Sequence, residues 1–529
     1  MRSLALTGRR LAAAALAFVV AVPSLRAQTF PIEDPVLRRI WSQGMDSSQV
    51  ERLTQVLLDS VGPRLTGTVA MEAAQRWLLR TYAGWGVTAR NEKYGTWKGW
   101  RRGTSHLDLV APRVRTLDAT LLGWSPGTRG RLEAPVILLP DLPDSAAYAR
   151  WMPTAKGKFV LTSFPQPTCR PDEDWQRSAA PASFDRMRRA RDSARTAWTA
   201  RTTRVSADPR QLHLRLDAAG AAGILTSTWT GAWGAERVFT ARTSRAPNFA
   251  LSCEDYGLLA RLAERGQGPV VRAQADAELR GEVPVFNTIA EIRGSEKPDE
   301  YVVLSAHFDS FDAGSGATDN GTGTTAVLEA VRILRQAYPQ PKRTILVGHW
   351  SGEEQGLVGS RAFAADHPEI VNNVQALFNH DGGTGRTTSI GMEGFTGAGE
   401  VFGRWFARLP AELTRGVRLD IPDNPGAGGT DHASFVCHGA PAFDLNPEPW
   451  NYFAYTWHTD IDTYDKVVMD DLRMNATLMA MLAYLASEEP ERFPRARREQ
   501  VSGGMRARAG TRSWPECSVP PRTSAESTR

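Results

Sequence analysis

Apolar and polar positions change their period several times along the chain. Val50, Leu53, Val56 and Leu57 recur at helical spacing after Asp46, and the polar run 59–67 breaks the pattern. A second helix is expected over about 69–85, with Ala73, Trp77 and Leu78 on one face, followed by a strand with Val87 and Ala89. From 117 to 283 short strand-like pieces (135–139, 158–162, 223–226 and 269–273) alternate with turns. Within that stretch, residues 172–208 are crowded with arginine and aspartate and read as a solvated helical excursion. The small-residue run 218–225 would let a helix pack closely on a sheet.

From 284 onward strand and helix alternate regularly. Strands are expected at 287–292, 301–306, 343–350, 374–381, 388–392 and 441–445, and helices at 322–337, 355–366, 400–409 and 470–486. Such alternation predicts an α/β fold: a mostly parallel mixed sheet covered by helices on both faces. The expected organisation is a discontinuous domain (28–116 and 284–487), an inserted β-rich domain (117–283) that shapes or caps a site, and a disordered basic tail (488–529).

Composition changes this picture at the ends. Hydrophobic residues make up 42% of the 529, ample for sizeable cores. The net charge of +5 does not describe the body of the chain. Residues 1–27 hold four arginines and no acid, and residues 491–529 hold nine arginines against four glutamates, so the body between them is acidic. No case for nucleic-acid binding follows. Residues 1–27 have the basic start, short apolar run and Ala27 of a secretory signal peptide, and no other stretch is apolar enough to span a bilayer. An exported protein, periplasmic or extracellular, with no stable membrane insertion is expected. Cys169 and Cys253 could pair in an oxidising compartment, whereas Cys437 and Cys517 have no evident partner. No cysteine shows metal-binding spacing, so any metal must rest on histidine and carboxylates.

Candidate chemistry gathers where strands end. The run 301–306 ends at His307, Asp309 and Asp312, and a glycine-rich turn leads to Asp319-Asn320-Gly321. Later strands run into Gly352-Glu353-Glu354 and His380-Asp381, and Asp431-His432 and His458 lie further on. In α/β folds the carboxyl ends of strands are where sites form. Histidine with aspartate and glutamate is a ligand set for first-row metals. Adjacent glutamates at a turn point in different directions, so one can bind a metal while the other acts as a base. His380 precedes a ligand on a strand and should face the opposite way; His349 reads as a core residue.

These motifs resemble the co-catalytic dizinc exopeptidases, family twenty-eight of the metallopeptidases. The matching signatures are His307-Phe308-Asp309, Thr318-Asp319-Asn320, Gly352-Glu353-Glu354, His380-Asp381 and His458-Thr459 with Asp462-Thr463. Their wording is closest to the carboxypeptidase Q branch, and the insert is similar to a protease-associated domain. The resemblance implies two zinc ions bridged by Asp319, with His307 and Asp381 completing one site and Glu354 and His458 the other. It implies Glu353 as general base, acting on a hydroxide shared by the metals, and Asp309 as the group that fixes the His307 ring. Asp431 and His432 would line the substrate pocket. The implied activity is hydrolysis of terminal bonds of peptides or dipeptides, with aminopeptidase and carboxypeptidase Q-like dipeptidase activity not separated. A homodimer is suggested only by the relatives. The alternatives are a non-catalytic binding protein on the same scaffold and a glutaminyl cyclase.

Overall fold

The computed structural model describes residues 33–206, 208, 210–426, 429–498, 501–502, 511–512 and 514–526. The expected signal peptide, 1–27, lies outside the described residues. In chain order the strands that matter here are β1 (Thr88–Ala111), β2 (Leu132–Leu138), β3 (Phe159–Leu161), β4 (Gly223–Thr226), β5 (Asn248–Leu251), β6 (Val270–Ile292), β7 (Lys297–His307), β8 (Arg343–Trp350), β9 (Val374–Asn379), β10 (Thr387–Gly391), β11 (Arg418–Asp420) and β12 (Ala442–Pro447). The principal helices are α1 (Val69–Gly84), α2 (Pro181–Val205), α3 (Thr322–Ala337), α4 (Val358–Asp366) and α5 (Met469–Glu488).

The site-bearing part of the sheet runs β11-β10-β12-β9-β7-β8-β6. β7 pairs in parallel with β8 and β9, and β9 with β12, while β6 and β10 add antiparallel pairings. The register sets Trp350 beside His307 and Asn379 beside Ser305, so β7, β8 and β9 end at one level. Every residue of β8 is buried, as a central strand covered on both faces requires. Alternation along β7 divides the cores: Val302 and Leu304 pack with α3 and α5, and Val303 packs on the other face with Trp350, Phe363 of α4 and Phe435. α3 is buried almost all round, which suits its many apolar and small residues, and its buried Glu329 and Arg332 meet as an ion pair at 2.7 Å. The predicted helix at 355–366 starts later, at Val358, because the residues before it form a turn.

The inserted segment differs from the β-rich unit expected. β2, β3, β4 and β5 are mutually parallel, and helices including α2 and Arg210–Ala219 intervene, so it is a small α/β unit. The short strands misled because each spans only three to seven residues, while the intervening helices are too polar to show a strong apolar stripe. Within the small-residue run, Gly223 of β4 lies beside Phe159 of β3, and a Cβ there would come within 2.3 Å of the Phe159 ring. The expected boundary at 283/284 falls inside β6, which pairs with β1 throughout and with both β2 and β8. A continuous two-stranded ribbon therefore joins the insert to the main sheet.

The expected disordered tail is also corrected for the described part of 488–529. Phe493 is buried in the main core and its N–H donates to Gln375 Oε1 at 3.1 Å. Arg495 donates to the Val374 carbonyl at 2.8 Å, and Trp514 Nε1 to the Val436 carbonyl at 2.9 Å. Cys517 is disulfide-bonded to Cys437, the partner the spacing did not reveal, and Cys169 pairs with Cys253, a pairing the sequence left open. A polar, arginine-rich composition hid two aromatic anchors and a crosslink. No helix among the described residues is long and apolar enough to cross a membrane. Replacing Cys437 and Cys517 by serine should lower stability by about 2–4 kcal/mol and make residues 514–526 sensitive to limited proteolysis, read by mass spectrometry against the native chain.

Candidate active site

The strand-edge loops converge on a cleft of about 530 Å³ whose wall includes Asp319, Glu353, Glu354, Asp381 and His458. His307 is the last residue of β7. Its Nδ1 lies 2.9 Å from the Asp309 carbonyl oxygen, which can only accept, so Nδ1 carries the proton and Nε2 presents its lone pair. Nε2 is 3.2 Å from Asp319 Oδ1 and 3.5 Å from Asp381 Oδ1. The other oxygen of Asp319, Oδ2, is 3.2 Å from His458 Nε2, and Glu354 Oε2 is 3.0 Å from the same nitrogen. Donor atoms of His307, Asp319 and Asp381 form one set, and those of Asp319, Glu354 and His458 a second, each set lying within 4.8 Å. Asp319 belongs to both, one oxygen facing each histidine.

This donor set fits divalent cations. His307 Nε2, Asp319 Oδ2 and Glu354 Oε1 are buried without a hydrogen-bond partner among the described residues. Burial favours the neutral carboxyl and pushes Glu354 up to about 7, helped by the Asp319 charge. Glu353 is raised well above the usual glutamate value, first by burial and then by Glu354, Asp381 and Asp431. Burial opposes charge on His458, yet Glu354 and Asp319 raise it to about 9. Carboxylates crowded out of water and facing imidazole nitrogens have an unmet demand for positive charge, which metal ions satisfy. Glu353 belongs to neither donor set and lines the cleft beside them.

The elements that hold these groups are partly unexpected. Asp309 does not fix the His307 ring with its carboxylate, whose Oδ1 is 3.7 Å from Nδ1; its own main-chain carbonyl does that. Its carboxylate instead accepts the N–H groups of Glu353 (3.2 Å) and Glu354 (3.3 Å), anchoring the turn that presents both glutamates. Gly352 opens that turn at φ +78°, a conformation suited to glycine. Asp462 accepts from Thr318 N–H at 2.9 Å and Asp319 N–H at 3.1 Å, so it carries the loop that carries Asp319. Asn320 accepts from Gly323 N–H at 2.9 Å at the start of α3 and donates to the His380 carbonyl at 2.8 Å, tying that helix to the Asp381 loop. Arg64, fully buried, donates to the carbonyls of Phe308, Gly62, Ser315 and Gly316. Asp462 stood inside a recognised pattern without a role. Asn320 likewise stood in a quoted motif without a role, and Arg64 gave no local signal, because three of the four carbonyls it meets belong to a distant loop.

Other candidates fall outside the cradle. Asp312 pairs with Arg102 at 2.6 Å. His380 faces away, its Nε2 3.0 Å from Asn475 Nδ2 of α5, as the strand geometry required. His349 lies in the core against Tyr82 Oη at 2.6 Å. Asp431 and His432 do not line the cleft: both are completely buried, the wall there is Gly429 and Thr430, and His432 Nε2 lies 3.5 Å from Glu393 Oε1. The resemblance placed them at the pocket, but they sit behind its wall, where the short helical turn Ala433–Val436 begins.

A buried His–carboxylate cradle on the carboxyl edge of a parallel sheet, with a spare glutamate at its side, is the architecture of a metallohydrolase. Residues 287–483 match peptidase family M28. Bovine carboxypeptidase Q is 27% identical over 450 residues, covering 84% of this chain and 86% of that protein. Carboxypeptidase Q of Xenopus laevis is 28% identical over 453 residues, covering 84% and 87%. The crystal structure of a peptidase M28 precursor from Shewanella amazonensis SB2B superposes with a TM-score of 0.63 at 25% identity, covering 87% of this chain and 97% of that one. A zinc aminopeptidase from Bacillus subtilis shares the fold at 18% identity and a TM-score of 0.51, covering 82% and 93%. The match marks a peptidase M28 domain at 287–483. It is similar to carboxypeptidase Q over most of its length.

Asp462→Ala should leave the N–H groups of Thr318 and Asp319 without acceptors and misplace Asp319. The expected outcome is roughly 10–100-fold weaker metal binding, measured by chelator competition on the purified variant.

Proposed function

We propose that the chain is an exported zinc exopeptidase that cleaves terminal bonds of short peptides. His307, Asp319 and Asp381 would hold one zinc ion, and Asp319, Glu354 and His458 a second. The observation that carries this reading is Asp319, whose two oxygens each lie 3.2 Å from a different histidine nitrogen. When bound, the ions supply Lewis-acid chemistry: stabilisation of charge on the scissile carbonyl oxygen and acidification of the attacking water. Glu353 takes the water's proton on its carboxylate and passes it to the leaving amine. Asp309 keeps that carboxylate at the cleft wall by holding the turn beneath it. The two disulfides and the arginine-then-apolar composition of residues 1–27 support export.

The cleft wall favours substrates with a free amino terminus. Asp444 and Asn446 line it beyond the metal cradle, and none of the described residues lining it is a lysine or arginine. A free α-carboxylate would meet no side-chain cation there, whereas an α-ammonium group would meet Asp444. The reading is therefore an aminopeptidase or a dipeptidase acting on free dipeptides.

Purified enzyme should contain close to two zinc equivalents by elemental analysis, and Asp319→Asn should lose metal and activity together. Protein without zinc, or an active and fully metallated Asp319→Asn, would refute the assignment. Glu353→Gln should keep its zinc and lose about 10²–10⁴-fold in kcat. In a hydrolysis panel, aminoacyl-anilides and free dipeptides should be cleaved and N-acetylated counterparts spared; cleavage of the blocked peptides would reverse the proposed polarity.

A further inference from the structure

The inserted unit does more than sit over the cleft. Its segment 236–239 runs against residues 453–460, the stretch that carries His458. Val238 N–H donates to the His458 carbonyl at 2.7 Å. Asp460 N–H donates to the Glu236 carbonyl at 3.2 Å, and Glu236 N–H donates to Asp460 Oδ1 at 3.1 Å. The Arg237 guanidinium donates to the Phe453 carbonyl at 2.8 Å and lies 5.0 Å from the centre of the Trp457 ring. Trp457 in turn stacks on the His458 imidazole at 3.8 Å, and Phe239 meets that imidazole edge-on at 5.5 Å.

Two features of His458 show why it needs this support. Its φ is +59°, in the left-handed region that a residue with a Cβ adopts only when its surroundings hold it there. Its Nδ1 is buried without a partner among the described residues, whereas His307 Nδ1 is aligned by the Asp309 carbonyl. A ligating histidine is ordinarily aimed by the hydrogen bond its other nitrogen makes. For His458 the aim comes instead from the backbone clamp, which runs through the insert, and from ring packing shared between Phe239 of the insert, Trp457, and Phe311 of the loop after β7 at 4.5 Å.

We infer that segment 236–239 is the positioning element of His458, so that one half of the metal centre is built by the inserted unit. The inference rests on the dizinc reading above. Arg237 and Phe239 act through His458 and touch no reacting atom, which makes them positioning residues. The other half, His307 and Asp381, is held by hydrogen bonds within loops of the main sheet, and the segment reaches it only through the packing of Phe239 on Phe311 at 5.4 Å.

The test is zinc stoichiometry and affinity of the full-length protein by chelator competition, together with kcat and KM. The double variant Arg237→Ala/Phe239→Ala should release one of two zinc equivalents at about tenfold lower chelator concentration, with kcat falling and KM little changed. Arg237→Lys with Phe239 intact should recover most of the affinity. Leu216→Ala, in the insert's own buried core, controls for general destabilisation: it should lower the melting temperature and leave both zinc affinities as in the unaltered protein. Unchanged affinities in the double variant, or an equal shift in Leu216→Ala, would overturn the inference. If the unaltered protein bound no zinc, the functional reading itself would fall, a result distinct from a two-zinc enzyme whose segment variant behaves normally.

Discussion

Carboxylates leave water at this strand edge, and each must be met by donors or by cations, because an unpaired buried charge is among the costliest things a fold can contain. Asp309 and Asp462 are met by main-chain N–H groups: those of Glu353 and Glu354 for the first, of Thr318 and Asp319 for the second. Asp319 and Glu354 keep oxygens with no donor but face histidine nitrogens. The acids therefore divide into two groups with different tasks. One group shapes the loops, and its hydrogen bonds leave it little to offer a metal. The other is left under-satisfied, and that deficit makes the site a cation receptor.

The sheet sets the distances over which this division operates. β7, β8 and β9 are parallel neighbours with matched ends, so the loops after His307, Trp350 and Asn379 emerge side by side at the normal strand spacing. Side chains from three loops can then converge without long excursions of backbone. The start of α3 closes the arrangement from behind. A Cβ on Gly323 would come within 2.3 Å of both Asn320 Oδ1 and the His380 carbonyl, so the helix can approach the Asp381 loop only with glycine there. That contact lets Asn320 cap α3 and brace the Asp381 loop at once.

Much of this was legible in the sequence, for identifiable reasons. β8 was expected at 343–350 and α3 at 322–337, and both have those limits, because long runs with a clear period leave little choice of state. Polar groups at successive strand ends drew attention to the region, and the family resemblance singled out the five residues of the cradle, His458 above all, which follows a short helix and no strand end. What could not be read is who holds them. The carboxylate of Asp309 was assigned to the His307 ring two residues away, and it binds the Glu353–Glu354 turn some 44 positions on. Asp431 and His432 were assigned to the pocket wall by resemblance, yet tertiary packing buries both completely. The 488–529 segment looked disordered because its few anchors, Phe493, Trp514 and Cys517, are sparse in a polar background. Composition averages over a segment; a crosslink, one buried ring and one half-buried ring act at single points.

The insert poses the sharper problem of how a separate unit comes to bear on the site. β1 and β6 form one long antiparallel ribbon that belongs to the main sheet at one end and to the insert at the other. A flexible linker would leave segment 236–239 free to drift, and a main-chain bond to the His458 carbonyl would then fix nothing. The ribbon removes that freedom, with register shifts accommodating its twist. The segment can therefore clamp a residue more than two hundred positions away in sequence. The two histidines of the cradle thus reach the same geometry by different routes. His307 is aimed by a carbonyl two residues along its own loop, a short-range solution written into one motif. His458 is aimed by the neighbouring rings of Trp457 and Phe311 together with a main-chain clamp that exists only once the insert has folded and docked. Half of the cradle is consequently a local property of the main sheet, and the other half is a property of the whole chain.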